Sequence, residues 1–146
     1  MKLLIQRVTS ASVTVGDQCI ASIDKGLLVF VCILNEDTAT HGDYLGAKLL
    51  TLRCFENQHE KLDHNIQDIN GDILVVSQFT LAADCSKGRR PSFEKAAKPE
   101  MAQSLYNTFV GNLTKKYPKV KTGQFGAKMS VQIENDGPFT LLLSNP

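Results

Sequence analysis

Gly26 opens a run of eight consecutive apolar residues, Leu27-Leu28-Val29-Phe30-Val31-Cys32-Ile33-Leu34. The run is too short to cross a bilayer and is rich in β-favouring side chains. Successive side chains of a strand point to opposite faces, so an unbroken apolar strand needs cover on both sides. It therefore reads as a buried central strand. Ile73-Leu74-Val75-Val76 has the same character and runs on into Ser77-Gln78-Phe79-Thr80, predicting a second buried strand from Ile73 to Thr80.

The flanking segments supply the cover. Lys2 to Thr9 and Ala11 to Val15 alternate as strands, and Gly16-Asp17 offers a hairpin turn into Cys19 to Ile23. Asn35 to Thr38 holds helix-capping residues, after which Tyr44, Leu45, Lys48, Leu49 and Leu52 fall at helical spacing. Arg53-Cys54-Phe55 reads as a short strand and Glu56 to Gly71 as a polar loop. Pro99 suits the first turn of a second helix, with Met101, Leu105, Phe109 and Leu113 as its packing stripe. Met129 to Ile133 and Phe139 to Leu143 close the chain as two strands around the corner Asn135-Asp136-Gly137-Pro138. Strands before, between and after two helices predict a single α/β domain over residues 1–146, with a mixed sheet rather than a regular βαβ array.

Several function classes drop out. The formal net charge is only +1, so any attraction for nucleic acid must come from local patches. Two exist: Lys87, Arg89 and Arg90, then Lys115, Lys116, Lys119 and Lys121. Each reads equally as a solvated face or as phosphate contacts, without the aromatic interleaving of a single-strand platform. The four cysteines form no C-x-x-C pair. Cys19, Cys32 and Cys54 read as small hydrophobes in apolar surroundings, leaving Cys85 as the one candidate reactive thiol. His59 and His64, with Asp63 between them, match no zinc spacing, so neither a metal nor another cofactor is expected. There is no G-x-G-x-x-G, P-loop or G-x-S-x-G. The opening residues lack the apolar region and cleavage site of a signal peptide, and the expected location is the cytoplasm, off the membrane.

Chemistry has two candidate seats. Strand alternation predicts Ser77, Phe79 and Leu81 on one face, with Gln78 and Thr80 on the other. If the strand loosens there, the amides of Phe79 and Thr80 become free to bind a developing oxyanion. Otherwise Ser77 and Thr80 simply satisfy a strand end. A nucleophilic Thr80 needs a neighbouring base, and none flanks it. In the second seat Pro138 fixes its own φ and can hold a cis peptide, while Gly137 tolerates unusual angles. That corner is either an ordinary turn or a rigid elbow that aims carbonyls outward.

Together these residues resemble the D-aminoacyl-tRNA deacylase family. Ser77-Gln78-Phe79-Thr80-Leu81 is similar to its first signature, and Asn135-Asp136-Gly137-Pro138 followed by Thr140 to its second. Lys87-Gly88, Arg90-Pro91-Ser92-Phe93, Phe125-Gly126-Ala127 and Gln6-Arg7-Val8 fit as well, so the likeness spans the chain. Phe139, where a smaller aliphatic residue is usual, and Leu62-Asp63-His64-Asn65 depart from the pattern. The resemblance implies an α/β/β-layered fold and a homodimer with active sites at the interface. Ser77, Gln78, Phe79 and Thr80 would be the catalytic pocket. Gly137, Pro138, Arg7 and Asn135 would bind substrate, the glycine-proline elbow being cis and reaching into the partner subunit. The implied reaction is hydrolysis of the ester on a tRNA acceptor end carrying a D-amino acid or glycine, with L-aminoacyl-tRNA rejected. A tRNA-binding module without catalysis, or a small-molecule esterase, are the alternatives.

Overall fold

Every residue from Gly26 to Cys32 is buried, as the apolar run requires. In the computed structural model, which describes residues 1–146, the chain begins with β1 (Lys2–Val15), β2 (Gln18–Ile23), β3 (Gly26–Cys32) and α1 (Ala39–Thr51). It continues through β4 (Phe55–Glu56), β5 (Leu62–His64), β6 (Asp72–Ser77) and a 3-10 turn (Phe79–Ala82). α2 (Pro99–Lys116), β7 (Val120–Thr122) and β8 (Ser130–Ser144) complete it.

β3 pairs in parallel with β6, from Gly26 opposite Asp72 to Val31 opposite Ser77. The pair is buried on both faces. Leu27, Val29, Val31, Ile73 and Val75 join a core that includes Leu45 and Leu49 of α1 and Tyr106, Phe109 and Leu113 of α2. Leu28, Phe30, Leu74 and Val76 join a second core with Val8, Ala11, Val13, Ala21 and Ile23. The alternation of one strand pair thus generates three layers: helices, central sheet, and a second sheet layer.

β1 links the sheet layers because it is long. Its first half pairs with β3 and its second with β2, while β8 runs antiparallel along nearly its whole length. The two strands expected on either side of Ser10 are therefore one, and so are the two expected around Gly137-Pro138. Long antiparallel pairing tolerates bulges, and the ladder slips at each suspected break. The polar loop after Glu56 contains β5, paired with β4, and Val120–Thr122 adds a parallel edge to β6. Neither three-residue strand carries an apolar pattern long enough to read.

The buried faces of the helices differ from the expected ones. α2 buries Ala102, Tyr106, Phe109 and Leu113, while Met101 is exposed and Leu105 only half-buried. A strict four-residue spacing drifts around a helix of 3.6 residues per turn, whereas steps of four, three and four hold one face. Tyr44 is likewise exposed on α1, where Gly42, Leu45, Gly46 and Leu49 face inward.

Gly26 marks the tightest approach in the sheet: a Cβ there would sit 1.9 Å from the Asp72 carbonyl oxygen. Gly111, inside α2, faces open space. Gly26→Ala should therefore cost about 2–4 kcal/mol in urea unfolding by forcing β3 from β6. Gly111→Ala should be neutral or stabilising by up to ~1 kcal/mol through helix propensity.

Candidate active site

The parallel ladder ends at Ser77. The Gln78 amide still donates to the Val31 carbonyl at 2.8 Å, and then the backbone leaves the sheet for the 3-10 turn. Leu81 N–H returns to the Gln78 carbonyl and Ala83 N–H to that of Thr80. The first amides of any helical turn lack partners within it, and Phe79 and Thr80 occupy those places. The strand has loosened where a donor pair would be useful. The expected alternation of faces fails for the same reason: Ser77, Gln78 and Phe79 all line one cleft. Thr80 does not line it; its hydroxyl is exposed and accepts a hydrogen bond from Gln78 Nε2.

The cleft has a volume of about 630 Å³, and twelve of its seventeen lining residues are hydrophobic. Phe79, 54% exposed, meets Phe93 edge-on with ring centroids 5.1 Å apart. Phe125 forms another wall and leans on Tyr106 at 5.5 Å. The Tyr106 hydroxyl donates to the Val75 carbonyl at 3.1 Å, and burial pushes its pKa up to about 12, so that donor stays protonated. Lys98 is the one ionisable residue in the lining. The cleft thus offers flat apolar surface, with the Phe79 main chain at its wall, but no carboxylate, imidazole or thiol to act as a base.

The second motif lies elsewhere on the chain. Gln6 pairs with Thr140 and Val8 with Asn135, so Arg7 alone faces the four residues Asp136 to Phe139. The buried Arg7 guanidinium organises this bulge. Its Nη1 donates to the Cys54 carbonyl at 2.8 Å and its Nε to the Asp136 carbonyl at 3.1 Å. The Glu56 and Asp136 carboxylates lie at 3.7 and 3.4 Å, and the cation sits 5.1 Å from the Phe139 ring centroid. The larger side chain at position 139 therefore packs on Arg7. Asn135 closes the bulge from the inside, accepting from the Phe139 amide at 2.9 Å and donating to the Phe139 carbonyl at 3.3 Å. The Gly137–Pro138 peptide at the exposed apex is cis. Gly137 has φ +134°, where L side chains are strained, and a Cβ there would lie 2.9 Å from Nη2 of the buried Arg7. None of Arg7, Asn135, Gly137 or Pro138 lines the cleft of its own chain.

Of the cysteines, Cys32 and Cys54 are buried as expected, but Cys19 is exposed, lying beyond the register shift that separates it from the buried Ala21 and Ile23 of β2. Cys32 lies beneath the 3-10 turn, its thiol 3.6 Å from the Phe79 carbonyl oxygen. The sequence reading missed Lys98, whose signal was a cation placed directly before the helix-starting Pro99.

The mixed α/β fold and its apolar cleft are those of a hydrolase family, as the comparisons with known proteins show. The family model described as D-Tyr-tRNA(Tyr) deacylase matches residues 4–144. The D-aminoacyl-tRNA deacylase of Clostridioides difficile (strain 630) is 48% identical over 145 residues, covering 99% of this chain and 97% of that protein. A solved structure described as a c-Myc DNA Unwinding Element Binding Protein is 43% identical, with a TM-score of 0.95 over 100% of this chain and 99% of the other. A probable eukaryotic D-amino acid tRNA deacylase shares the fold at 17% identity, TM-score 0.89, covering 99% of this chain and 98% of its own. The chain belongs to the D-aminoacyl-tRNA deacylase family of hydrolases.

Burial pushes the Cys54 pKa up to about 11 against the opposing pull of Arg7, and it raises that of Cys32 as Lys2 opposes it. Both thiols therefore stay protonated at about pH 8. A thiol reagent should label Cys19 and Cys85 in the native protein and reach Cys32 and Cys54 only on unfolding, as read by peptide mass spectrometry. Fast native labelling of Cys54 would contradict this.

Proposed function

We propose that this chain hydrolyses the ester joining a D-amino acid, or glycine, to the terminal ribose of tRNA, working in the cytoplasm as a homodimer. The observation that carries the reading is the separation of the two motifs. Ser77, Gln78 and Phe79 line a cleft, while Gly137 and Pro138 stand exposed outside it. A second copy of the chain is the economical way to join an elbow to a cleft that its own chain does not let it reach.

The chemistry follows from what the cleft contains. The amides of Phe79 and Thr80 hold the carbonyl oxygen as charge develops, each such donor being worth about 3–4 kcal/mol in known enzymes. Water attacks the ester, and the ribose 2′-hydroxyl beside it assists, since no protein base is present. The partner's elbow takes the substrate's α-amino group on the carbonyls of Gly137 and Pro138. Arg7 and Asn135 hold that elbow stiff. With the amino group pinned, an L side chain collides with the elbow and a D side chain points to open space. Glycine has nothing to collide, so glycyl-tRNA is cleaved as well.

Matched D- and L-tyrosyl-tRNA provide the direct test: the first should be deacylated and the second spared. Gly137→Ala should slow D-tyrosyl-tRNA hydrolysis about tenfold or more, equivalent to ~1.4 kcal/mol of transition-state stabilisation. Phe79→Pro removes one amide donor and should be inactive alone. Equal mixing of these two variants, after dissociation and reassembly, should restore about a quarter of wild-type activity, because half the dimers then hold one intact site. No recovery would sink the cross-subunit reading.

The role of Thr80 is tested separately. Thr80→Ala should retain most of the turnover, because its amide remains. Loss of turnover together with loss of a trappable acyl-enzyme would install its hydroxyl as the nucleophile instead.

A further inference from the structure

The two basic clusters, alike in sequence, are unlike in the fold. Asp84 and Ser92 exchange both backbone hydrogen bonds, at 2.8 and 2.9 Å, closing residues 85–91 into a finger. The Asp84 side chain braces its base by accepting from the Ser86 amide at 3.0 Å, and it pairs with Lys95 at 3.8 Å. Phe93, the next residue after Ser92, is a cleft wall packed on Phe79. The finger is thus joined directly to the cleft rim. It carries Lys87, Arg89 and Arg90, all exposed and none in an ion pair.

The second cluster is differently placed and partly spent. Lys119 donates to the Asn70 carbonyl and pairs with Asp72, and Lys121 donates to the Ser22 carbonyl. Lys115 and Lys116 sit at the far end of α2, about 20 Å from the cleft-lining Ala102 at 1.5 Å per residue. Two further cations flank the cleft on the finger's chemistry: Lys98 in the lining, and Lys128 between the lining residues Ala127 and Met129. Against them stand Glu94 and Glu100, both exposed, besides the paired Asp84. The cationic excess therefore gathers at the cleft mouth in a chain whose net charge is only +1.

We propose that the finger of Lys87, Arg89 and Arg90 is a binding site for RNA phosphodiesters, gripping the acceptor strand just outside the cleft. This rests on the deacylase reading above, and it assigns the grip to the finger and not to the end of α2. Exposed cations without aromatic neighbours in the finger hold a backbone without reading its bases, which suits an enzyme that must accept many tRNAs.

The test is a salt titration of the binding of fluorescently labelled, deacylated tRNA, which does not require turnover. Three phosphate contacts on a single strand contribute about 2 to the slope of log affinity against log salt, or about fifteenfold between roughly 50 and 200 mM. Lys87→Gln/Arg89→Gln/Arg90→Gln should lower the slope by that amount, whereas Lys115→Gln/Lys116→Gln should keep the wild-type slope. The charge-preserving Arg89→Lys/Arg90→Lys should keep it too. In parallel, the advantage of D-tyrosyl-tRNA over 3′-O-D-tyrosyladenosine in KM should shrink about tenfold in the finger variant. An unchanged slope in that variant, or an equal loss in the α2-end variant, overturns the proposal. Finger-dependent binding without hydrolysis by the wild type would instead overturn the deacylase reading and leave the grip standing.

Discussion

The parallel pairing of β3 with β6 is the constraint on which the rest depends. Its side chains are apolar on both faces, so helices must cover one side and a second sheet layer the other. With no water available inside, each backbone group must find its partner in the ladder. The ladder holds as far as Ser77 and then gives way at the C-terminal end of a parallel pair. There the chain has a choice of directions, and the 3-10 turn it takes presents amides beside a cleft. The amides of Phe79 and Thr80 are what remains when a fully paired strand stops being paired.

A second, smaller constraint governs the elbow. A buried guanidinium is tolerable only when its donors are met, and Arg7 meets two carbonyls and two carboxylates drawn from two separate segments, Cys54 to Glu56 and Asp136. The four-residue bulge opposite it is the counterpart of that satisfaction. Asn135 then fixes the bulge internally through both main-chain groups of Phe139. An exposed apex resting on a buried, fully engaged base is a way to make surface backbone rigid.

Much of this was legible in the residues. The two apolar runs, of eight and four residues, announce central strands because a strand buried on both faces needs an apolar side chain at every position. Pro99 announces a helix start, and Gly137-Pro138 a corner. What could not be read was anything set by partners distant in sequence. The merging of the segments around Ser10 into β1 depends on β8, more than a hundred residues away. β7 owes its existence to an open edge of β6. The face of α2 was misjudged by one position at Met101 because a four-residue repeat only approximates the helical period.

The residues by themselves determined the buried central strands and the mixed α/β class, since apolar periodicity and local backbone restrictions are properties of short segments, and the two motifs carried the resemblance to the family. Tertiary structure alone decided that Ser77, Gln78 and Phe79 share one wall, that Arg7 underlies the elbow, and that the elbow and cleft stay apart within one chain. Those outcomes turn on long-range register, where a slip of one residue reverses every side chain. No local pattern encodes such a choice, because it is made by the strand on the other side.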